Sequence, residues 1–120
     1  METNRGVPRC HWIAALAVGF LACAASLPPP TNEWAAAQAD VGRAQAGGAP
    51  NVPEAKLHLQ LAQEDLTVSK RLFDQDNRRA ATLITLARTE AQLALAIAND
   101  ARAEDDANSA EAALAKAAGK

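Results

Sequence analysis

The chain is poor in the residues that build bulky cores and reactive sites. Among its 120 residues there is no tyrosine, aromatics make up 3%, and there are only two cysteines, two histidines and one methionine. So few large side chains exclude a thick globular core. Charge of one sign is also lacking: the formal net charge is −2 with both signs interspersed. That leaves no electrostatic footprint for nucleic acid and no basic patch for anionic lipid head groups. Gly47-Gly48 lacks the Lys-Ser/Thr that would follow in a phosphate loop. Cys10 and His11 fall in the N-terminal stretch read below as a removed signal and Cys23 in its lipobox, so His58 has no cysteine or second histidine to complete a zinc site. Thr67, Ser69, Thr82, Thr85, Thr89 and Ser109 have no Ser-His-Asp context. Carboxylates are plentiful, but no pattern encloses a pair of them in a water-poor pocket. These absences argue against an enzyme, and they imply no cofactor, no metal and no small-molecule substrate.

What the chain has is alanine, the best helix former. The stretch 51–117 reads as two helices, about 53–75 and 77–117, joined at Asp74-Gln75-Asp76-Asn77. In the first, Ala55, Leu59, Ala62, Leu66 and Phe73 share one face. Leu57, Leu61, Val68 and Leu72 form a second stripe on the nearly opposite face, which predicts a helix covered from both sides by neighbours or by another subunit. Asn51 and Glu54 match a capping box, with Pro53 in the first turn. In the second helix, Ala80, Ile84, Ala87, Ala91, Ala94, Ala98 and Ala101 keep a four-three rhythm, widened by Leu83, Leu86, Leu93 and Ile97. Asp76 or Asn77 caps its start. Small residues let a partner helix approach closely, so the Leu and Phe side chains of the first helix are expected on the Ala stripe of the second. The fold class is therefore all-α: a long antiparallel helical hairpin with a short leading helix, an up-down bundle of coiled-coil-like packing.

The strings Leu57-His58-Leu59-Gln60-Leu61-Ala62, Lys70-Arg71-Leu72, Asp76-Asn77, Ala80 and Leu86-Ala87-Arg88-Thr89-Glu90-Ala91-Gln92-Leu93-Ala94-Leu95-Ala96 carry a family resemblance. The chain resembles, over roughly 28–103, the bacterial domain-of-unknown-function family 4398, small Ala-rich helical envelope proteins that are often lipoproteins. Family members usually carry Gly-Asp at the hairpin turn, where this chain has Gln75-Asp76. The resemblance implies a fold and an address in the cell envelope; it implies no activity and no site.

Residues 1–22 read as a secretory signal. Arg5 and Arg9 supply a positive start, and the apolar run 12–22 is too short to span a bilayer in a mature protein. A permanent N-terminal anchor helix is the rival. Phe20-Leu21-Ala22-Cys23 resembles a bacterial lipobox, with cleavage after Ala22 and acylation of Cys23. Ala22-Cys23-Ala24 is also an ordinary A-x-A cleavage site. The Pro-rich stretch that follows favours the lipobox, because 23–32 is a tether rather than the start of a fold, and acyl chains on Cys23 would anchor the protein to the membrane. Ala24 after the cysteine, by resemblance to diderm lipoproteins, points to the outer membrane facing the periplasm. With Cys10 lost in the signal and Cys23 acylated, no thiol remains for a disulfide.

Leu27-Pro28-Pro29-Pro30 is a stiff spacer. Thr31 or Asn32 is expected to cap a leading helix over 33–46 with Trp34, Ala37, Val41 and Ala44 on one face, ended by Gly47-Gly48-Ala49-Pro50. Trp34 packs on the hairpin in the plainer reading, and dips into the membrane interface in the other. After Ala103 large apolar residues thin out, Glu104-Asp105-Asp106 make a solvated acidic face, and 118–120 is a frayed tail. Two function classes follow. One is an envelope lipoprotein whose hairpin spaces or binds other proteins, including further copies of itself. The other is a structural tether to peptidoglycan through Lys120. Self-association is expected because the last helix outruns the first: past Leu95, Ile97, Ala98, Ala101 and Leu114 would face water.

Overall fold

The computed structural model describes residues 27–119; the signal, Cys23 and Lys120 readings lie outside them. Three helices follow one another: α1 (Thr31–Ala46), α2 (Pro53–Arg71) and α3 (Asn77–Ala118), with a 3-10 turn at Ala49–Asn51 between the first two. α2 runs antiparallel to α3 and shares the largest interface with it, and α1 packs chiefly on α3. Trp34 at the start of α1 reaches Leu66 near the end of α2, so α1 and α2 are antiparallel as well. The all-α hairpin with a short leading helix is the architecture observed.

The core is thin because its residues are small. α3 buries Ala80, Ile84, Ala87, Ala91, Ala94 and Ala98. α2 faces it with Ala55, Leu59, Ala62, Leu66 and Ser69, and α1 adds Ala37, Val41 and Ala44. The Ser69 hydroxyl is silenced by donating to the Leu66 carbonyl at 2.8 Å. Phe73, on the expected stripe, is only half-buried and packs at the edge of the core. Each Ala contributes little apolar area, so close helix approach rather than large buried surface holds the bundle.

The helix starts differ from the sequence expectation. α1 begins at Thr31, with Pro30 in the capping position and no side-chain cap. Asn51 does not cap α2: it belongs to the 3-10 turn, Val52 takes the capping position, and no bond between Asn51 and Glu54 forms. The reason is the fully buried Ala49, which pins the chain one turn earlier and commits the Asn51 N–H to the Gly48 carbonyl at 3.0 Å. Pro53 does open α2. Asp76 caps α3, its Oδ1 accepting from the Arg79 N–H at 3.0 Å, a cap of ~1 kcal/mol.

Two joints are set by backbone geometry. α2 ends at Arg71, not at 75, because Leu72 and Phe73 donate to Ser69 and Lys70 in 3-10 fashion and Asp74 takes φ 65°. After α1, Gly48 adopts φ 93°, a conformation that favours glycine. Gly47 lets α3 come close: a Cβ there would lie 2.3 Å from Leu95 Cδ1.

That close approach also corrects the expected overhang. Leu95 and Ile97 pack against the core, Ala98 is buried, and Ala101 is half-buried. The unaccompanied part of α3 therefore starts near Arg102, whose Nη2 donates to the Gly47 carbonyl. From there the helix continues, fully exposed, to Ala118. The segment is ~25 Å long at 1.5 Å per residue. Among the described residues, the opposite face of α2 is not sandwiched either. Leu57 is 55% exposed and Leu61 39%, while Val68 and Leu72 are half-buried.

Candidate functional site

Polar chemistry gathers in two places, and both are paired internally. Asp40 is 3% exposed on the buried face of α1. Arg43, one turn along, donates to its Oδ1, and Arg88 Nε from α3 donates to its Oδ2 at 3.0 Å. Both guanidinium groups keep substantial solvent contact. The carboxylate is thus neutralised at the α1–α3 interface, where it fixes the register of the two helices. Sequence reading passed over it. The signal was available: Asp40 lies three residues after Ala37 and four before Ala44, inside the apolar face of α1.

The second group lies between α2 and α3. His58, assigned no role from sequence, has Nδ1 2.6 Å from Glu90 Oε2, as donor to the carboxylate. Asp65, two turns along α2, has its carboxyl pushed above the ordinary range, first by burial, then by the charges of Glu90 and Glu64. No group of three or more His, Cys, Asp or Glu among the described residues is arranged to hold a metal ion.

Along the α1–α2 divergence runs an open groove of about 760 Å³, with Val41 and Leu66 among its lining and Trp34 and Lys70 at one end. Trp34 packs on the hairpin: its indole Nε1 donates to the Leu66 carbonyl at 3.2 Å, and the Lys70 ammonium sits 4.9 Å from its ring centre and 4.6 Å from that of Phe73. Lys70 is thereby a clamp across two helix ends.

The remaining feature is apolar and exposed. Leu57 and Leu61 on α2, and Leu86, Leu93 and Leu114 on α3, all present large side chains to solvent. Leu86 and Leu93 flank Glu90 by one turn on either side, so they border the His58–Glu90 pair. The Leu27 carbonyl accepts from Asn77 Nδ2, which places this first described residue beside the α2–α3 turn and away from the exposed end of α3. No described helix is long and apolar enough to cross a membrane. Comparison with known proteins finds no matching family model, curated protein or solved structure.

Proposed function

We propose that the protein is a non-enzymatic lipoprotein of the bacterial cell envelope, acylated on Cys23, whose helical hairpin acts as a spacer and protein-interaction module on the periplasmic side of the outer membrane. The observation that carries the module reading is α3 itself: a helix of 42 residues whose last two-fifths leaves the bundle and stays exposed. A helix that only completed a core would end with it. Leu27, the first described residue of the proposed tether, sits beside Asn77 at the opposite end, so in this reading the free arm of α3 projects away from the anchor. The lipobox-like Phe20-Leu21-Ala22-Cys23, the Pro-rich spacer and the resemblance to family 4398 support the envelope address. The internal pairing of Asp40 and His58 is what a structural role requires of such groups.

Mass spectrometry of the mature N-terminus, isolated from a diderm bacterium, tests the anchor. A diacylglyceryl-modified Cys23 in the outer-membrane fraction is the expected result. An unmodified chain starting at Ala25 would remove the anchor from the proposal.

A further inference from the structure

Nearly opposite its buried stripe, α3 carries a second heptad seam that the fold leaves uncovered. Leu86, Leu93, Asp100, Ala107 and Leu114 recur every seven residues. Thr89, Ala96, Ala103, Ala110 and Ala117 recur three places on. Every one of them is exposed. At ~103° per residue this seam is centred ~155° from the line through Ala87 and Ala91. A strict seven-residue repeat sustained along solvent-facing helix is the pattern of a helix that has a partner.

We infer that the partner is a second copy of this chain, paired antiparallel along α3. The seam is self-complementary in that direction alone. With a two-fold axis between Ala101 and Arg102, Leu86 meets Ala117, Leu93 meets Ala110, and Leu114 meets Thr89. Asp100 meets Ala103, and Ala96 meets Ala107. Every leucine falls opposite a small residue, so the helices keep one even, close separation. The parallel arrangement stacks Leu on Leu, then Ala on Ala, leaving alternate layers overfull and empty. It also sets Asp100 directly against Asp100 of the second copy in one desolvated layer, where the antiparallel pairing offsets the two by a layer, ~4.5 Å along the axis.

Antiparallel pairing lays the exposed arm of each copy along the bundled half of the other α3. The arm and the exposed leucines thereby account for each other. About eighteen seam and flanking positions a side fall just under the ~20–30 of a standard interface. Its flanks are acidic: Glu90 approaches Glu111 of the second copy, and Asn99 approaches Asp106. Arg102 lies outside the seam and its flanks, its Nη2 donating to the Gly47 carbonyl. Salt therefore tightens the dimer by screening these charges. The inference extends the interaction-module reading and does not depend on the anchor.

The test uses the full chain in detergent, with photoreactive benzoyl-phenylalanine in place of Leu93. The expected product is a covalent dimer attached within 107–114 of the second copy. Positions 93 and 110 lie ~25 Å apart along one helix, so this product cannot form within a chain. Attachment near position 93 of the second copy, attachment only to other proteins, or a sedimenting monomer at ~100 µM would each overturn the proposal. Leu114→Asp should abolish the dimer while leaving helicity and melting of the monomer unchanged, since Leu114 is 70% exposed and lies outside the core of the described residues. Asp100→Ala should lower the dimer Kd roughly tenfold by taking a charge out of the seam. A Leu114→Asp chain that still dimerises with native affinity would also refute it.

Discussion

At the scale of single residues, buried charge and close backbone approach decide most. Asp40 is enclosed but its two arginines are not, so the consequences of breaking the cluster are unequal. Asp40→Leu releases guanidinium groups that water can solvate, and should change stability by less than about 1 kcal/mol. Arg43→Ala combined with Arg88→Ala strands a buried carboxylate and should cost about 3 kcal/mol in urea unfolding at pH 7. Equal losses in the two variants would contradict this account of the cluster. Gly47→Ala forces Leu95 or the α1 terminus to move, and should lower stability by about 1 kcal/mol. Asp65 gives a pH dependence. Its carboxyl titrates above 3.8 in the fold because burial and the neighbouring Glu90 and Glu64 disfavour the anion. The folded state thus holds its proton more tightly than the unfolded chain, and this contribution to stability is lost as pH rises through the folded value. Asp65→Asn should raise the melting temperature slightly at pH 7, and the gain should vanish below pH 3.8, where the carboxyl is protonated in both states.

At the scale of helices, the bundle depends on small side chains at the seam and on one helix being longer than its neighbours need. Ala91 is fully buried where α3 meets the rest of the core. Ala91→Leu should push the helices apart and cost about 1–3 kcal/mol, whereas the same change at exposed Ala96 should be nearly neutral for folding. A thermal melt of the two variants separates them. The α2 stripe at Ala55, Leu59, Ala62 and Leu66, and the α3 stripe from Ala80 to Ala98, were legible because a four-three rhythm of apolar residues reports a shared face directly. The ends of the helices were less legible. Asn51 has the right chemistry for a cap, yet the buried Ala49 draws the chain into a 3-10 turn first. Side-chain propensity lost to tertiary packing at that joint. At Asp76 nothing competed, and the cap expected from sequence formed.

At the scale of the whole molecule, the bundled part and the arm are expected to behave differently. A chain ending at Arg102 keeps every buried residue of the core. It should melt within ~0.5 kcal/mol of the native monomer at low concentration, and it should lose the concentration dependence of melting that a dimer confers. The sequence by itself determined the all-α class, the hairpin and its two facing stripes, because alanine abundance and periodicity are local properties that packing did not override. Only the tertiary structure decided where α1 lies, that Asp40 is shared by Arg43 and Arg88, that His58 meets Glu90 across two helices, and that cover of α3 ends near Arg102 rather than Leu95. Those outcomes depend on the approach of segments distant in the chain, which Gly47 and Ala49 permit through having almost no side chain, and no periodicity within a single helix encodes such an approach.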